Sequence, residues 1–340
     1  MNKDLSTLRE DQSTVSKRII LIWIILFLFG IIVGYFSRLV LENSKTTSSE
    51  NIEQRAGHYR FINPLLECDF KENTELKPFK YEVEKYISSA KNLGKISNAS
   101  VIFRDLDKGQ WIGINENEDF SPASLLKVPL MISFLKQAET DPDLLKLKLK
   151  YDGSFDKDNM QNFPPSQTLE PGEEYTVEDL IYRMIVFSDN NAKELLHIYG
   201  QEAKFINQVY VDFGLEIPGV RNVEDFMSVR EYSSFFRILY NASYLSRGMS
   251  NAALEILGKV EFKDGISKAI PKDNAFAHKF GERALQDGSK QLHDCGIVYF
   301  PKRPYLLCVM SRGNSFDNLK EFIRGVSRVV YREVDEQSRQ

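Results

Sequence analysis

The chain has 340 residues, of which 42% are apolar and 27% charged, with a net charge of −4. That length holds one large domain or two small ones, and the slightly acidic balance gives no electrostatic footprint for nucleic acid. No internal period recurs, which excludes a solenoid.

The first feature along the chain is RIILIWIILFLFGIIVGYFSRLVL, which is free of charged residues over 19–37. A run of that length suits a membrane-spanning helix. It ends in Tyr35, Phe36, Ser37 and Arg38, a poor match to a small-x-small cleavage site. The reading is therefore a short cytoplasmic tail (1–18), an uncleaved anchor (19–41) and a polar tether (42–58) with few apolar residues. The folded part, 59–340, is then expected outside the cytoplasm on a single-pass anchor in the cell membrane. Three cysteines lie in it, Cys68, Cys295 and Cys308. Their odd, small number argues against a disulfide framework, and their spacing fits no zinc site.

YEVEKYISSAKNLG has helical spacing and stops at a glycine. ASVIFRDL and QWIGINENEDF read as two strands joined by DKG, a hairpin signal. SLLKVPLMISFLKQAE is an apolar helix that tolerates Pro129 near its start. Residues 151–173 are rich in Asp, Asn, Pro, Ser and Gly and read as loop. In TVEDLIYRMIVF, Thr176 is placed as N-cap with Asp179 three residues on, and Leu180, Ile181, Met184 and Ile185 form the buried stripe. SVREYSSFFRILY and SNAALEILGKV are further amphipathic helices. NAFAHKFGE, CGIVYF and YLLCVMSR are short strands, the last two joined through PKRP as a hairpin. FDNLKEFIRGVSRVVYREV closes the chain as a helix with Leu319, Phe322, Ile323, Val326 and Val330 on one face. The order predicts an α+β fold: one antiparallel sheet completed by both ends, flanked by helices, with a helical lobe at about 125–260. A cleft between sheet and lobe is the natural site.

Three short motifs matter together. Ser124 and Lys127 are three apart at the start of the apolar helix, so they share a face. Ser188, Asp189 and Asn190 stand at the break between two helices. Lys279 and Gly281 flank Phe280 on the first strand after the lobe. A serine hydroxyl is a poor nucleophile until a base takes its proton. A lysine one turn away can do so when burial and a nearby cation lower its pKa. The motifs together, in this order, resemble the S-x-x-K, S-D-N and K-T-G set of class A β-lactamases and penicillin-binding proteins. The resemblance covers roughly residues 81–333, and TVEDLIYRMIVFSDNNAKELL is similar to the family's helix–SDN–helix segment throughout.

The resemblance implies a five-stranded antiparallel sheet with an all-helical subdomain and a Ser124 acyl-enzyme. In it Lys127 activates Ser124, Ser188 relays a proton to the leaving nitrogen, Asn190 binds the substrate amide and Lys279 supplies positive charge. The oxyanion would be held by the backbone N–H groups of Ser124 and Glu282, with Gly281 alongside. Asp189 braces its loop. The sequence departs from the family at Phe280, where a Thr or Ser hydroxyl helps hold the substrate carboxylate. His293 falls near an arginine that class A enzymes often aim at that carboxylate. The loop LEIPGVRNVEDFM is short and lacks the glutamate that activates the deacylating water, Glu224 being the nearest acidic residue. The substrate expected is a small-molecule β-lactam or a cell-wall peptide, handled by a monomer without metal or cofactor. Three readings stay open: a β-lactamase, a D-alanyl-D-alanine carboxypeptidase or penicillin-binding protein with slow deacylation, and a non-catalytic binder of cell-wall peptide.

Overall fold

The computed structural model describes residues 23, 27–30, 54–55, 61–62, 65–67, 76–221 and 223–339. The anchor expected over 19–41 lies outside these, apart from the helical residues 23 and 27–30. Among the described residues no helix is long and apolar enough to cross a membrane. The chain divides into two units, Met1–Glu50 and Asn51–Gln340. Both apolar cores belong to the second.

That second unit is built on one antiparallel sheet of five strands. They are β1 (Asn98–Asp105), β2 (Trp111–Ile114), β3 (Phe276–Ala284), β4 (Lys290–Val298) and β5 (Tyr305–Gly313). Their order is β2-β1-β5-β4-β3, so strands from the two ends of the chain meet at the β1–β5 pair. One face packs against helices α1 (Lys77–Asn92) and α7 (Phe316–Ser338). The α7 stripe read from the sequence is buried throughout: Leu319, Phe322, Ile323, Val326 and Val330 are each at most 1% exposed. The other face carries the helical lobe, made of α2 (Lys127–Ala138), α3 (Val177–Val186), α4 (Asn190–Glu202), α5 (Val229–Asn241) and α6 (Arg247–Leu257).

Helix α2 is buried on nearly all sides, as an apolar helix in the middle of a lobe must be. Thr176 caps α3 by accepting from the Asp179 amide, as its spacing predicts. Helix α5 starts on a full capping box between Ser228 and Glu231.

One expectation is corrected. QWIGINENEDF does not form one strand. It is β2, a turn at Asn115, which has φ 48°, and a two-residue strand, Asp119–Phe120, that pairs with Met227–Ser228 instead. The cysteines form no framework among the described residues, but two of them meet. Cys295 and Cys308 are cross-strand partners on β4 and β5 and are joined as a disulfide. One bond between neighbouring strands needs only two facing thiols, not a framework.

Candidate active site

Ser124 sits in a 3-10 turn, Ala123–Leu126, that runs directly into α2. The turn is entered through Ala123 at φ 49°, a left-handed conformation that costs an alanine energy and that the surrounding packing must impose. The surrounding contacts come from the sheet. Gln291 of β4 accepts from the Ser121 amide at 3.0 Å, and His293 Nε2 donates to the Ser121 carbonyl at 2.9 Å. Edge strand β3 closes from the other side. A Cβ on Gly281 would lie 2.8 Å from the Pro122 carbonyl oxygen and 3.0 Å from Leu125 Cγ. Only glycine lets the strand approach the nucleophile's turn so closely.

Lys127, the first residue of α2, is 3% exposed. Its Nζ donates to the Ser188 carbonyl at 2.6 Å, to Ser188 Oγ at 3.1 Å and to Asn190 Oδ1 at 2.6 Å. Lys279 of β3 is wholly buried and donates to the same Ser188 Oγ at 2.9 Å and to the Phe280 carbonyl at 3.0 Å. Burial pushes Lys127 down to about 7, against the pull of Asp189 and Asp158. Burial, and then the neighbouring charge of Lys127, push Lys279 well below its usual value. Two ammonium groups out of water on one hydroxyl are a poor arrangement for stability and a good one for making a lysine shed its proton. With both lysines donating to it, the Ser188 oxygen has its lone pairs occupied, and its own O–H is left as a donor. Ser188 itself is held at φ 59°. The Ser124 hydroxyl makes no hydrogen bond among the described residues and stands half-exposed in the cleft.

The SDN segment is braced from below. Asp189 caps α4 by accepting from the Ala192 amide at 2.7 Å, and its second oxygen is buried without a partner. Burial, opposed by that amide, raises its carboxyl to about 6. The sequence reading missed the brace's main strut, Asp158. One of its oxygens accepts from the Asn190 amide at 2.6 Å and from Gln161 Nε2 at 2.8 Å. The other accepts from Asn191 Nδ2 at 2.9 Å and from Thr168. The alternation of Asp and Asn in FDKDNMQN is an Asx-turn signal that could have flagged the loop as ordered.

A cleft of about 680 Å³ lies between the lobe and β3, with Ser188 and Lys279 buried behind its lining. Ser124, Lys127, Asn190 and Glu282 all reach it. Glu282 is not free, because its carboxylate accepts from the Asn162 and Phe163 amides at 2.6 and 2.9 Å and from Asn162 Nδ2 at 2.6 Å. Glu224 reaches the cleft too, paired with Arg283 at 2.5 Å.

His293 does not reach it, which corrects its expected role. The residue is fully buried, its Nδ1 accepts from the Ser311 amide at 3.2 Å, and its Nε2 is taken by Ser121. Burial drops its pKa to about 4, so the ring is neutral and offers a substrate carboxylate nothing. Phe280 is buried as well, stacked on Phe262 with ring centroids 4.1 Å apart. The cations that do line the cleft are Lys127, Lys157, Lys193 and Arg283. Lys193 pairs with Glu194 at 3.1 Å and Arg283 with Glu224, whereas Lys157 has no ion-pair partner among the described residues.

Comparison with known proteins agrees with this geometry. The sequence matches the family Beta-lactamase2, described as the beta-lactamase enzyme family, over residues 79–334. No curated protein sequence matches the chain. Among solved structures, PBP-A is similar with a TM-score of 0.66 at 21% identity, covering 79% of this chain and 100% of its own. The β-lactamase from Sphaerobacter thermophilus has a TM-score of 0.61 at 21% identity, covering 73% of this chain and 95% of its own. The class A β-lactamase from Mycobacterium abscessus has a TM-score of 0.63 at 18% identity, covering 74% and 99%. At such identities the structures establish a shared fold.

Proposed function

The chain belongs to the beta-lactamase enzyme family of serine hydrolases, and from that premise we propose that it opens a β-lactam or a cell-wall peptide amide through a Ser124 acyl-enzyme that forms readily and hydrolyses slowly. The observation that carries the first half is the convergence of Lys127 and Lys279 on Ser188 Oγ beside an unengaged Ser124 hydroxyl. Neutral Lys127 takes the Ser124 proton as Oγ attacks the carbonyl carbon. The N–H groups of Ser124 and Glu282, at the positive end of the α2 turn, would stabilise the oxyanion. Ser188 then passes its proton to the departing nitrogen, and the lysines reprotonate it. Asn190 is placed to hold the substrate amide.

Slow release follows from the acids around the cleft. The carboxylates lining it among the described residues are Glu194, Glu224 and Glu282. Each is tied, to Lys193, to Arg283 and to the Asn162–Phe163 amides respectively. None is hydrogen-bonded to Ser124 and none stands as a partner-free base. A general base is worth about 10²–10⁴-fold in rate, so its lack favours a long-lived acyl-enzyme. A point mutant of PBP-A has been solved as an acyl-enzyme complex with penicillin G, at 22% identity to this chain, and supports this reading. With Phe280 and His293 out of reach, Lys157 is the cation we assign to the substrate carboxylate. All these residues come from one chain, so we take the monomer as the catalytic unit. The apolar run at 19–41 supports a membrane-anchored enzyme with its domain on the outer side.

The test is intact-mass measurement of the 51–340 unit after mixing with a fluorescent penicillin. One penicilloyl group that persists for minutes or longer, absent in Ser124→Ala, is the expected result. Rapid turnover without a trapped adduct would overturn slow deacylation, and no labelling by penicillins or cell-wall peptide thioesters would overturn the acyl-enzyme.

A further inference from the structure

A second cavity, of about 460 Å³, lies on the lobe face of the sheet toward edge strand β2. Its volume is in the range of small-molecule sites. It is floored by Ile102 of β1 and Leu306 of β5, and its rim carries Arg104, Trp111, Arg230 and Arg237. None of these residues lines the catalytic cleft.

The rim is a made arrangement rather than scattered surface charge. Arg104 and Trp111 are directly opposed on β1 and β2. Arg230 and Arg237 are seven residues apart on α5, two turns along one stripe. The Arg230 guanidinium sits over the Trp111 ring, 5.5 Å from its centroid. Between the two arginines Ser233 and Ser234 face the cavity, and their hydroxyls donate back to the Arg230 and Glu231 carbonyls at 2.8 and 2.6 Å. The acid in the lining, Glu231, is spoken for: it accepts from the Ser228 amide and hydroxyl at 2.8 Å in the α5 capping box. Arg237 has no ion-pair partner among the described residues. The guanidinium groups of Arg230 and Arg237 therefore stand beside an apolar floor, with no carboxylate paired to them among the described residues.

We propose that this cavity binds an amphipathic anion, a phosphate monoester with an alkyl or aryl arm. The guanidinium pair of Arg230 and Arg237 takes the phosphate by charge-assisted, forked hydrogen bonds. The arm lies on Ile102 and Leu306 with Trp111 along its side. The phosphate could belong to a soluble ester or to the headgroup of a lipid, and the same chemistry serves both.

Trp111 reports on the site directly. The chain has two tryptophans, Trp23 and Trp111, so the 51–340 unit carries Trp111 alone. That unit holds both apolar cores and the whole of the family match at 79–334, so it is self-contained. Trp111 emission is followed while hexyl phosphate, inorganic phosphate or hexanol is added. The expected result is a saturable change with hexyl phosphate, at least about tenfold weaker with either fragment and with R230A/R237A. Ser124→Ala should bind hexyl phosphate unchanged, which separates this site from the catalytic one. Sedimentation with phosphatidic acid vesicles, lost in R230A/R237A but not in the parent, would assign the lipid source. Saturable hexyl phosphate binding without vesicle binding would assign the soluble ester. The proposal is overturned if hexyl phosphate gives no saturable change, if hexanol matches it, or if R230A/R237A, with an unchanged thermal melt, binds as the parent does.

Discussion

Lys127 and Lys279, from a helix and a strand far apart in sequence, donate to the same Ser188 oxygen from 3.1 and 2.9 Å. Each is buried, and the charge on Lys127 adds to the burial that depresses Lys279. Acylation requires Lys127 neutral, and its pKa lies at about 7. The second-order acylation rate with penicillin should therefore fall about tenfold per pH unit below 7 and level off above it. A rate independent of pH between 5 and 8 would remove Lys127 as the base.

The same pair costs stability. A lysine that titrates lower folded than unfolded binds fewer protons when folded, so stability rises with pH between the folded value and about 10.5. Lys279→Met removes one buried ammonium and leaves Ser188 Oγ still bonded to Lys127. It should abolish acylation yet stabilise the 51–340 unit by about 1–2 kcal/mol at pH 7, the scale seen when an active-site strain is relieved. Thermal melting decides it, and a lower melting temperature would show that the two lysines support the fold instead.

Gly281→Ala places a methyl group 2.8 Å from the Pro122 carbonyl oxygen. Either β3 or the Ser124 turn must move by several tenths of an ångström. A misplacement of about 1 Å costs about 10²-fold in rate, so this smaller shift should cost roughly tenfold, whereas the fold should lose only about 1–3 kcal/mol. Stopped-flow acylation beside a urea melt separates the two effects.

Asp158→Asn keeps the size of the side chain but turns an acceptor toward the Asn190 and Asn191 donors into a partial donor. Breaking a buried, charge-assisted network of this kind costs about 1–3 kcal/mol. The loss should fall on acylation as well, by tenfold or more, because Asn190 contacts both Lys127 and the cleft. Unchanged acylation with normal stability would mean that the loop carries no strain to the site.

His293→Phe should lower stability by about 1–3 kcal/mol through the orphaned Ser121 carbonyl and Ser311 amide, leaving KM for anionic substrates nearly unchanged. Lys157→Ala should do the reverse, raising that KM tenfold or so with little change in the melt. The parent's His293 has a folded pKa of about 4, below the unfolded 6.5. Its contribution is thus full above 6.5 and is lost as pH falls toward 4, so the variant should show a flatter acid limb in its pH–stability curve.

Much of this architecture was readable in the linear chain, because the apolar periodicities of α2, α3 and α7 and the strands of β3 to β5 each point to one structure. The grouping of Ser124, Lys127, Ser188 and Asn190 came from the resemblance to the family's S-x-x-K and S-D-N motifs, since neither motif says by itself which residues meet. His293 was misread because β4 starts at Lys290, earlier than CGIVYF suggests, so the residue is mid-strand and buried rather than at a strand mouth. The Cys295–Cys308 pairing was implicit in the hairpin across PKRP, since pairing Val298 with Tyr305 puts the cysteines opposite each other. Asp158 and Gln291 were out of reach. Their roles depend on which backbone groups tertiary packing brings to them.

The placement of β1 in the sheet sets when this molecule can exist at all. Its neighbour β5 pairs Val309 with Val101, so β1 has no partner on that side until nearly the whole domain has been made. Contacts that distant in sequence are slow to close. In a chain made from its N-terminus, Ser124 emerges long before the strands β3 to β5 that shape its turn. A chain that stops in β4 therefore leaves an exposed β1 edge, open to pairing with other strands.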